Sequence, residues 1–297
     1  MVVTGAGCRR MMTAKEIADR FNLKRLRRSW RGRCPACGYP GTFSVREGNG
    51  GRALFFCASC QDRGALADAL ARATGQEARW DGRDDADKAA ARLRKAEAAL
   101  RLWRGSEPAA GTVAAIYLAA RGLPGLVTSP ALRFRADTWH PEGGRRPAMV
   151  AVVSEVNGAG VAVHRTYLRR DGSGKADVEP ARAALGPIWA GAVRLYDPDP
   201  DKPLLIGEGI ETAASAGLLL GLPAWAAISA GNLAKGLVLP PEVRRVVIAA
   251  DPDDTGRKAA RDAWIRWCSE GREVQIATTD GSDDFNDLLR MREAAHG

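Results

Sequence analysis

Several features that would announce a function are missing from this 297-residue sequence. It has no run of the ~18 consecutive apolar residues that a membrane-spanning helix requires. The opening Met1-Val2-Val3-Thr4-Gly5-Ala6-Gly7-Cys8-Arg9-Arg10 has too short an apolar stretch for a signal peptide. A cytoplasmic protein without a membrane partner is therefore expected. Histidine occurs only at His140, His164 and His296, which leaves little room for histidine-based catalysis. Neither Gly-x-Ser-x-Gly nor Gly-x-x-x-x-Gly-Lys-Ser/Thr is present, so nucleophile-elbow hydrolases and P-loop enzymes find no support. No repeat of fixed period occurs either.

Basic charge, by contrast, is plentiful and unevenly placed. Residues 1–60 hold twelve Lys/Arg against three acids (Glu16, Asp19, Glu47). That excess of nine equals the net charge of the whole chain, +9, so the remainder carries 32 of each sign. A concentrated basic region attracts phosphate backbones, although a solvated basic face has the same composition. Four of the six cysteines form Cys34-Pro35-Ala36-Cys37 and Cys57-Ala58-Ser59-Cys60, with nineteen residues between the pairs. In a cytoplasmic chain this spacing points to tetrahedral zinc, and four thiolates close the coordination sphere, so the ion is structural. Thr42–Val45 and Ala53–Phe56 flank the turn signal Gly48-Asn49-Gly50-Gly51, which predicts a hairpin between the two knuckles. Phe43, Phe55 and Phe56 suit either base stacking on single-stranded nucleic acid or the small core of the ribbon. Cys8 and Cys268 read as ordinary thiols.

Thr13 and Glu16 form a capping box for a short helix over 13–21, and Ala65–Leu70 starts another. From Asp84 to Arg104, apolar Ala89, Leu93, Ala96, Leu100 and Trp103 recur at helical spacing, which predicts a packed connecting helix. A helix over Val113–Ala120 follows, then strands at 149–153, 161–168 and 193–196, the first two joined by a turn at Asn157-Gly158. After a linker at Asp197–Asp201 the pattern alternates: strand 204–207, helix 210–220, strand 224–229, strand 245–250, helix 256–269, strand 273–277 and a terminal helix over 285–292. This order predicts a parallel sheet covered by helices.

Two of those apolar strands end on carboxylates, Glu208 and the Asp251/Asp253 pair. Ligands of open α/β sheets bind at the carboxyl ends of strands. An acidic cluster there needs a cation, and an all-oxygen set selects Mg²⁺ or Mn²⁺. The chemistry it supports is phosphoryl transfer. Asp284 either completes the metal shell or, like Asp283, caps the terminal helix.

Glu208-Gly209 and Asp251-Pro252-Asp253-Asp254-Thr255-Gly256, with the Asp-Asp-Phe-Asn-Asp tail, resemble the Toprim domain over about residues 202–292. That domain occurs in bacterial-type primases, topoisomerases, and some nucleases and recombination proteins. The cysteine quartet, with its Phe-Ser strand and Phe-Phe-Cys-x-x-Cys, resembles the zinc ribbon of bacterial and phage primases. The middle segment is similar to the basic half of a primase core. The resemblance implies a multidomain α/β chain: a zinc ribbon (1–75), a helical linker (76–110), an α+β primase-core-like segment (111–200) and a Toprim Rossmann-like parallel sheet (201–297). It further implies a phage- or plasmid-type DNA primase that makes short primers on single-stranded DNA from nucleoside triphosphates. In that reading Glu208, Asp251 and Asp253 are catalytic, Asp284 joins them on Mg²⁺ or Mn²⁺, and Cys34, Cys37, Cys57 and Cys60 hold Zn²⁺. Arg165 and Lys175 would face template and nucleotide phosphates. With Gly297 the last residue, no fused helicase is expected, and a replicative helicase would act in trans. Two departures stand out: Thr212, preceded by Glu211, occupies a place often acidic in primases, and Asn286 replaces a later aspartate. The metal-binding set is thus reduced. A non-enzymatic zinc–Toprim recombination mediator and a Toprim nuclease are the alternatives. A topoisomerase fits least, because Tyr39, Tyr117, Tyr167 and Tyr196 lie in no nucleophile setting.

Overall fold

A computed structural model describes residues 12–26, 29–48, 53–60, 62–74, 85–279, 281 and 283–296. The expected turn residues Asn49, Gly50 and Gly51, the helix start Asp84, Cys8, five of the amino-terminal arginines (Arg9, Arg10, Arg27, Arg28, Arg52) and the tail residues Asp280 and Ser282 lie outside the described residues. The chain divides into two compact units, Met1–Gly82 and Arg83–Gly297.

The first unit is a ribbon with two helices. α1 (Ala14–Arg20) begins with the expected capping box: Glu16 N donates to Thr13 Oγ1 at 3.2 Å, and Thr13 N donates to Glu16 Oε2 at 2.8 Å. Strands β1 (Lys24–Leu26), β2 (Ser29–Gly32), β3 (Phe43–Glu47) and β4 (Ala53–Cys57) form an antiparallel sheet in that order, and α2 (Arg63–Thr74) follows. Ile17, Leu23, Phe43, Val45, Leu66 and Leu70 bury together with Cys34 and Cys57. The ambiguity over the aromatics resolves residue by residue. Phe43 is fully buried and Phe55 is half-buried against this core, while Phe56 is 46% exposed on β4.

The second unit carries two sheets that share one of its hydrophobic clusters. α3 (Asp85–Arg104) packs on the first sheet, but its buried face is one residue round from the expected stripe: Ala99 is sealed against Val150 and Val163, while Leu93 is exposed. The helix is therefore a layer of the domain as well as a connection. That first sheet is antiparallel: β5 (Glu107–Pro108), β6 (Leu132–Trp139), β7 (Arg145–Ser154), β8 (Gly160–Tyr167) and β9 (Arg182–Leu185). α4 (Val113–Ala120) starts on an N-cap, Thr112. The β7–β8 turn forms at Asn157-Gly158, where Gly158 takes φ +85° and Ala159 N donates to Asn157 Oδ1 at 2.9 Å.

The second sheet is the expected parallel one, built from β11 (Leu204–Gly207), β12 (Ala224–Ala226), β13 (Arg245–Ala249) and β14 (Glu273–Ala277). β10 (Val193–Arg194) adds to it antiparallel beside β12, giving the order β10-β12-β11-β13-β14. The strand at 193–194 thus belongs to the carboxyl-terminal sheet although it lies before the expected boundary at 200. Helices α5 (Ile210–Leu220) and α7 (Phe285–His296) cover one face, burying Ala213, Phe285 and Leu289 with Leu205 and Val247. α6 (Asp254–Ser269) covers the other, packing Ala260, Ala263 and Trp267 on Ile206, Trp225 and Ile248. Burial on both faces is why β11 and β13 read as unbroken apolar runs. Tyr117, Leu118 and Met149 of the antiparallel half share the α5-side core, so residues 83–297 form one body.

β12 stops at Ala226, not at 229 as the apolar run predicts. Ile228 adopts φ +71°, a left-handed backbone that ends the strand, and residues Asn232–Gly236 coil into one wide turn. Asn232, fully buried, fixes this turn: its Nδ2 donates to Gly191 O and Ala227 O at 2.8 Å each, and Ala190 N donates to its Oδ1 at 3.0 Å.

Candidate metal centres

The four cysteine sulfurs lie within 4.8 Å of one another, with Cys34–Cys60 at 4.0 Å and Cys37–Cys57 at 3.7 Å. A disulfide needs ~2.05 Å. A ZnS₄ tetrahedron with Zn–S bonds of ~2.3 Å has sulfurs ~3.8 Å apart. The spacing therefore matches a tetrahedral soft-metal site and not a crosslink. Cys37 N donates to Cys34 Sγ and Cys60 N to Cys57 Sγ, each at 3.4 Å, the knuckle bonds that turn both thiols of a pair to one point. The Thr42 hydroxyl stands 3.3 Å from Cys57 Sγ and steadies it.

The acidic centre is built by the parallel sheet. Gly207 pairs with Ala249, so Glu208 and the Ala250–Asp251 segment leave the sheet side by side. Asp253 caps α6, its Oδ1 accepting from Gly256 N at 2.7 Å. Gly256 is obligatory here, because a Cβ would stand 2.7 Å from Asp251 Cβ and 2.8 Å from its carbonyl oxygen. Asp284 caps α7 by accepting from Asn286 N and Asp287 N at 2.8 and 2.9 Å through one oxygen, Oδ1. Its charge still reaches Asp251. The cap is thus observed, and it engages Oδ1 alone.

These carboxylates are strained by one another's charge. Burial, then Asp251 and Asp253, pushes Glu208 up to about 7, against the pull of Arg182 and the Ala230 N–H. Asp251 is raised by burial, with Asp253 and Asp284 adding, while the Thr212 hydroxyl and Arg182 oppose. Hard oxygens that repel each other and hold back a proton fit a divalent oxygen-seeking cation. Among the described residues, however, only the cysteines bring three or more ligand atoms within 4.8 Å, so the carboxylates are neighbours without having closed on one point.

The shift has a measurable consequence. With its folded value above the ordinary 4.5, Glu208 binds more protons folded than unfolded between about 4.5 and 7. Ionising it in the metal-free protein therefore costs stability as pH rises through that window. A cation must displace that proton. Mg²⁺ or Mn²⁺ affinity should rise from pH 5.5 to 7.5 with proton release, read by titration calorimetry in buffers of different ionisation heat. A flat affinity with no proton release would count against the assignment.

Other expected site residues fall elsewhere. Arg165 is buried, and its guanidinium donates to Trp139 O, Ala183 O and Ala184 O at 3.1–3.3 Å. It ties β6 to β9, with three of its five N–H donors engaged by main-chain carbonyls. Lys175 lies 3.2 Å from Glu211. Asn286 is no substitute ligand: its amide donates to Arg121 O at 2.7 Å and Ser215 Oγ at 2.9 Å, clamping α7 to α4 and α5. Thr212 does reach the centre, through its bond to Asp251. Arg182 was missing from the sequence reading. It opens β9, a short edge strand without a clear apolar pattern, and its charge acts on both Glu208 and Asp251.

A carboxylate-tipped parallel sheet of this order is the Toprim architecture, and residues 203–295 match the Toprim domain model. Residues 93–195 match a domain of unknown function, DUF7146. In sequence, a four-cysteine ribbon lies ahead of the Toprim domain. It is similar to the zinc-binding and RNA polymerase domains of Aquifex aeolicus primase, at 16% identity and TM-score 0.47, covering 95% of this chain and 81% of that one. It is also similar to the primase fragment of the bacteriophage T7 primase-helicase, at 14% identity and TM-score 0.40, covering 90% and 99%. A third similar structure, the DnaG primase catalytic domain bound to ssDNA, has 16% identity and TM-score 0.45, covering 71% and 81%. No curated protein matches the chain by sequence. No helix among the described residues is long and apolar enough to cross a membrane.

Proposed function

We propose that this chain is a primase-type nucleotidyltransferase that builds short primers on single-stranded DNA. The observation that carries this reading is the Glu208–Asp251–Asp253 group at the strand ends of a Toprim sheet, with Arg182 beside it. Glu208, Asp251 and the second oxygen of Asp253 would hold Mg²⁺ or Mn²⁺, with Asp284 close by. The bound cation would screen the triphosphate and stabilise the attacking and leaving oxygens. The chain's own residues do the rest. The carboxylates fix where the α-phosphate sits, and Arg182 supplies positive charge next to it. A primer 3′-hydroxyl attacks that phosphorus and gives up its proton to solvent, the P–O bond to the β-phosphate breaks, and pyrophosphate leaves. Incubation with single-stranded DNA, labelled nucleotides and Mg²⁺ or Mn²⁺ tests this. New oligonucleotides are expected, and template degradation without synthesis would mean a nuclease. Binding without either would favour the mediator reading.

Nucleic-acid binding has a second surface in its favour. Arg145, Arg146, Arg169 and Arg170 line a groove of about 250 Å³ with Asp177. Arg145 pairs with Asp137 at 2.6 Å and Arg169 with Asp177 at 2.9 Å, while Arg146 and Arg170 have no acidic partner among the described residues. Trp139, 54% exposed, lies opposite Arg145 in the β6–β7 pairing, an aromatic beside a cationic track. The double variant Arg146→Ala/Arg170→Ala should lower the slope of log K against log salt for oligo-dT by about 1.4, roughly 0.7 per lost phosphate contact. An unchanged slope would remove this groove from the binding surface.

A further inference from the structure

Glu211 lies three residues beyond Glu208, in the first turn of α5, and is only 7% exposed. It does not join the acidic centre. Three elements of the antiparallel half converge on it: the Tyr117 hydroxyl from α4 donates at 2.5 Å, Lys175 from the β8–β9 connection stands at 3.2 Å, and Arg182 from β9 at 3.9 Å. Burial alone would raise this acid. Lys175, Arg182 and the Tyr117 bond more than offset it and hold the carboxyl well below the usual range, so it is an anion.

The two cations differ in access. The Lys175 side chain is 25% exposed and that of Arg182 is 47% exposed. Arg182 Nη1 lies 3.7 Å from where a Cβ on Gly209 would stand, so its guanidinium passes over the one-residue gap next to Glu208. Its charge acts on Glu208 and Asp251 as well as on Glu211. Across from Arg182, Thr166 and His164 follow along β8. His164 is buried and, through burial and then the Arg182 charge, pushed down to about 3, so it stays neutral and adds no repulsion.

We propose that Glu211 is a positioning residue, which spends Lys175 as its half-buried counter-ion and aims Arg182 at the phosphates of a nucleoside triphosphate held at the neighbouring carboxylates. This rests on the nucleotidyltransferase reading of that centre. It also changes which cation meets the substrate, from Lys175 or Arg165 to Arg182. Glu211 is then acidic for a reason unrelated to metal: a neutral side chain would leave half-buried Lys175 without its counter-ion and Arg182 without an aim.

Equilibrium binding of Mn²⁺–ATP to the full chain tests this without requiring synthesis, and Mn²⁺ binding alone serves as the reference. Arg182→Met should weaken Mn²⁺–ATP by roughly tenfold or more, the size of a lost charge-assisted contact, without weakening Mn²⁺. Glu211→Gln keeps the side-chain shape and should weaken Mn²⁺–ATP by a similar factor. The two effects should not add in the double variant. Lys175→Met should lower Tm, and adding Glu211→Gln should restore it, because the buried charge then disappears with its counter-ion. Folded Glu211→Gln with unchanged Mn²⁺–ATP affinity would overturn the proposal, as would additive effects or a wild-type chain that binds no Mn²⁺–ATP. Nucleotide binding that follows this pattern in a chain making no primers would instead sink the priming activity and leave the positioning role standing.

Discussion

Asp251→Asn is expected to lower metal-dependent primer synthesis by about a thousandfold or more while leaving the protein at least as stable as before. The loss follows from the cation's share of transition-state stabilisation, several kcal/mol, with each ~1.4 kcal/mol worth a factor of ten. Asparagine keeps the shape of the side chain and can still meet the Thr212 hydroxyl. It removes the charge that repels Glu208, Asp253 and Asp284. A buried group whose folded value is raised is one the fold would rather keep neutral, so its neutral analogue should hold or raise Tm at pH 7.5 without added cation. Glu208→Gln should behave alike. Lost activity with retained or gained stability separates a site residue from a structural one. Wild-type rates of primer synthesis in either variant, with normal Mg²⁺ dependence, would end the catalytic assignment.

The second large effect concerns the amino-terminal unit. Cys57→Ser, or removal of the metal by a strong chelator, should unfold α1 through α2 while the Arg83–Gly297 unit keeps its transition. The core of the small unit is a handful of side chains, with Cys34 and Cys57 among its buried members. Structural zinc supplies ~10–16 kcal/mol in small domains, as much as the whole stability of an ordinary domain, ~5–15 kcal/mol. A chelator should release one zinc per chain, and amide exchange over residues 12–74 should become fast. Retained protection in β3 and α1 of Cys57→Ser would mean that the ribbon stands without metal.

The parallel sheet was the most legible part of the chain, because strands buried on both faces have no polar positions to blur them. Leu204–Gly207 and Arg245–Ala249 are such strands, and their carboxylate tips followed directly. β6 was missed for the opposite reason. Its inward Leu132 and Phe134 alternate with Arg133 and Arg135, but the period of two is broken after Arg135 by a register shift before Thr138, which leaves too short a run to read. The end of β12 was misplaced because nothing in the identity of Ile228 announces a left-handed backbone, which tertiary bonds impose. In the site, the identities of the acids were readable and their division of labour was not. Glu211 and Asn286 look like variants of a ligand set, yet each is claimed by neighbours distant in sequence, Tyr117, Lys175 and Arg182 for one and Arg121 for the other. Arg165, expected to face phosphates, is surrounded by three main-chain carbonyls that no local sequence pattern announces.

The small antiparallel strand β10 bears on how the chain can be cut. Val193 and Arg194 close the edge of the carboxyl-terminal sheet, and Gly191 and Ala190 supply the partners of the buried Asn232 amide. A fragment starting at Asp201 would carry every Toprim carboxylate yet expose β12 as an unpaired edge and strip Asn232 of two of its three bonds. Such a piece invites self-association. The carboxylate-bearing sheet is therefore inseparable from the segment before it, and a truncation that keeps both sheets whole has to retain the Arg83–Gly297 unit.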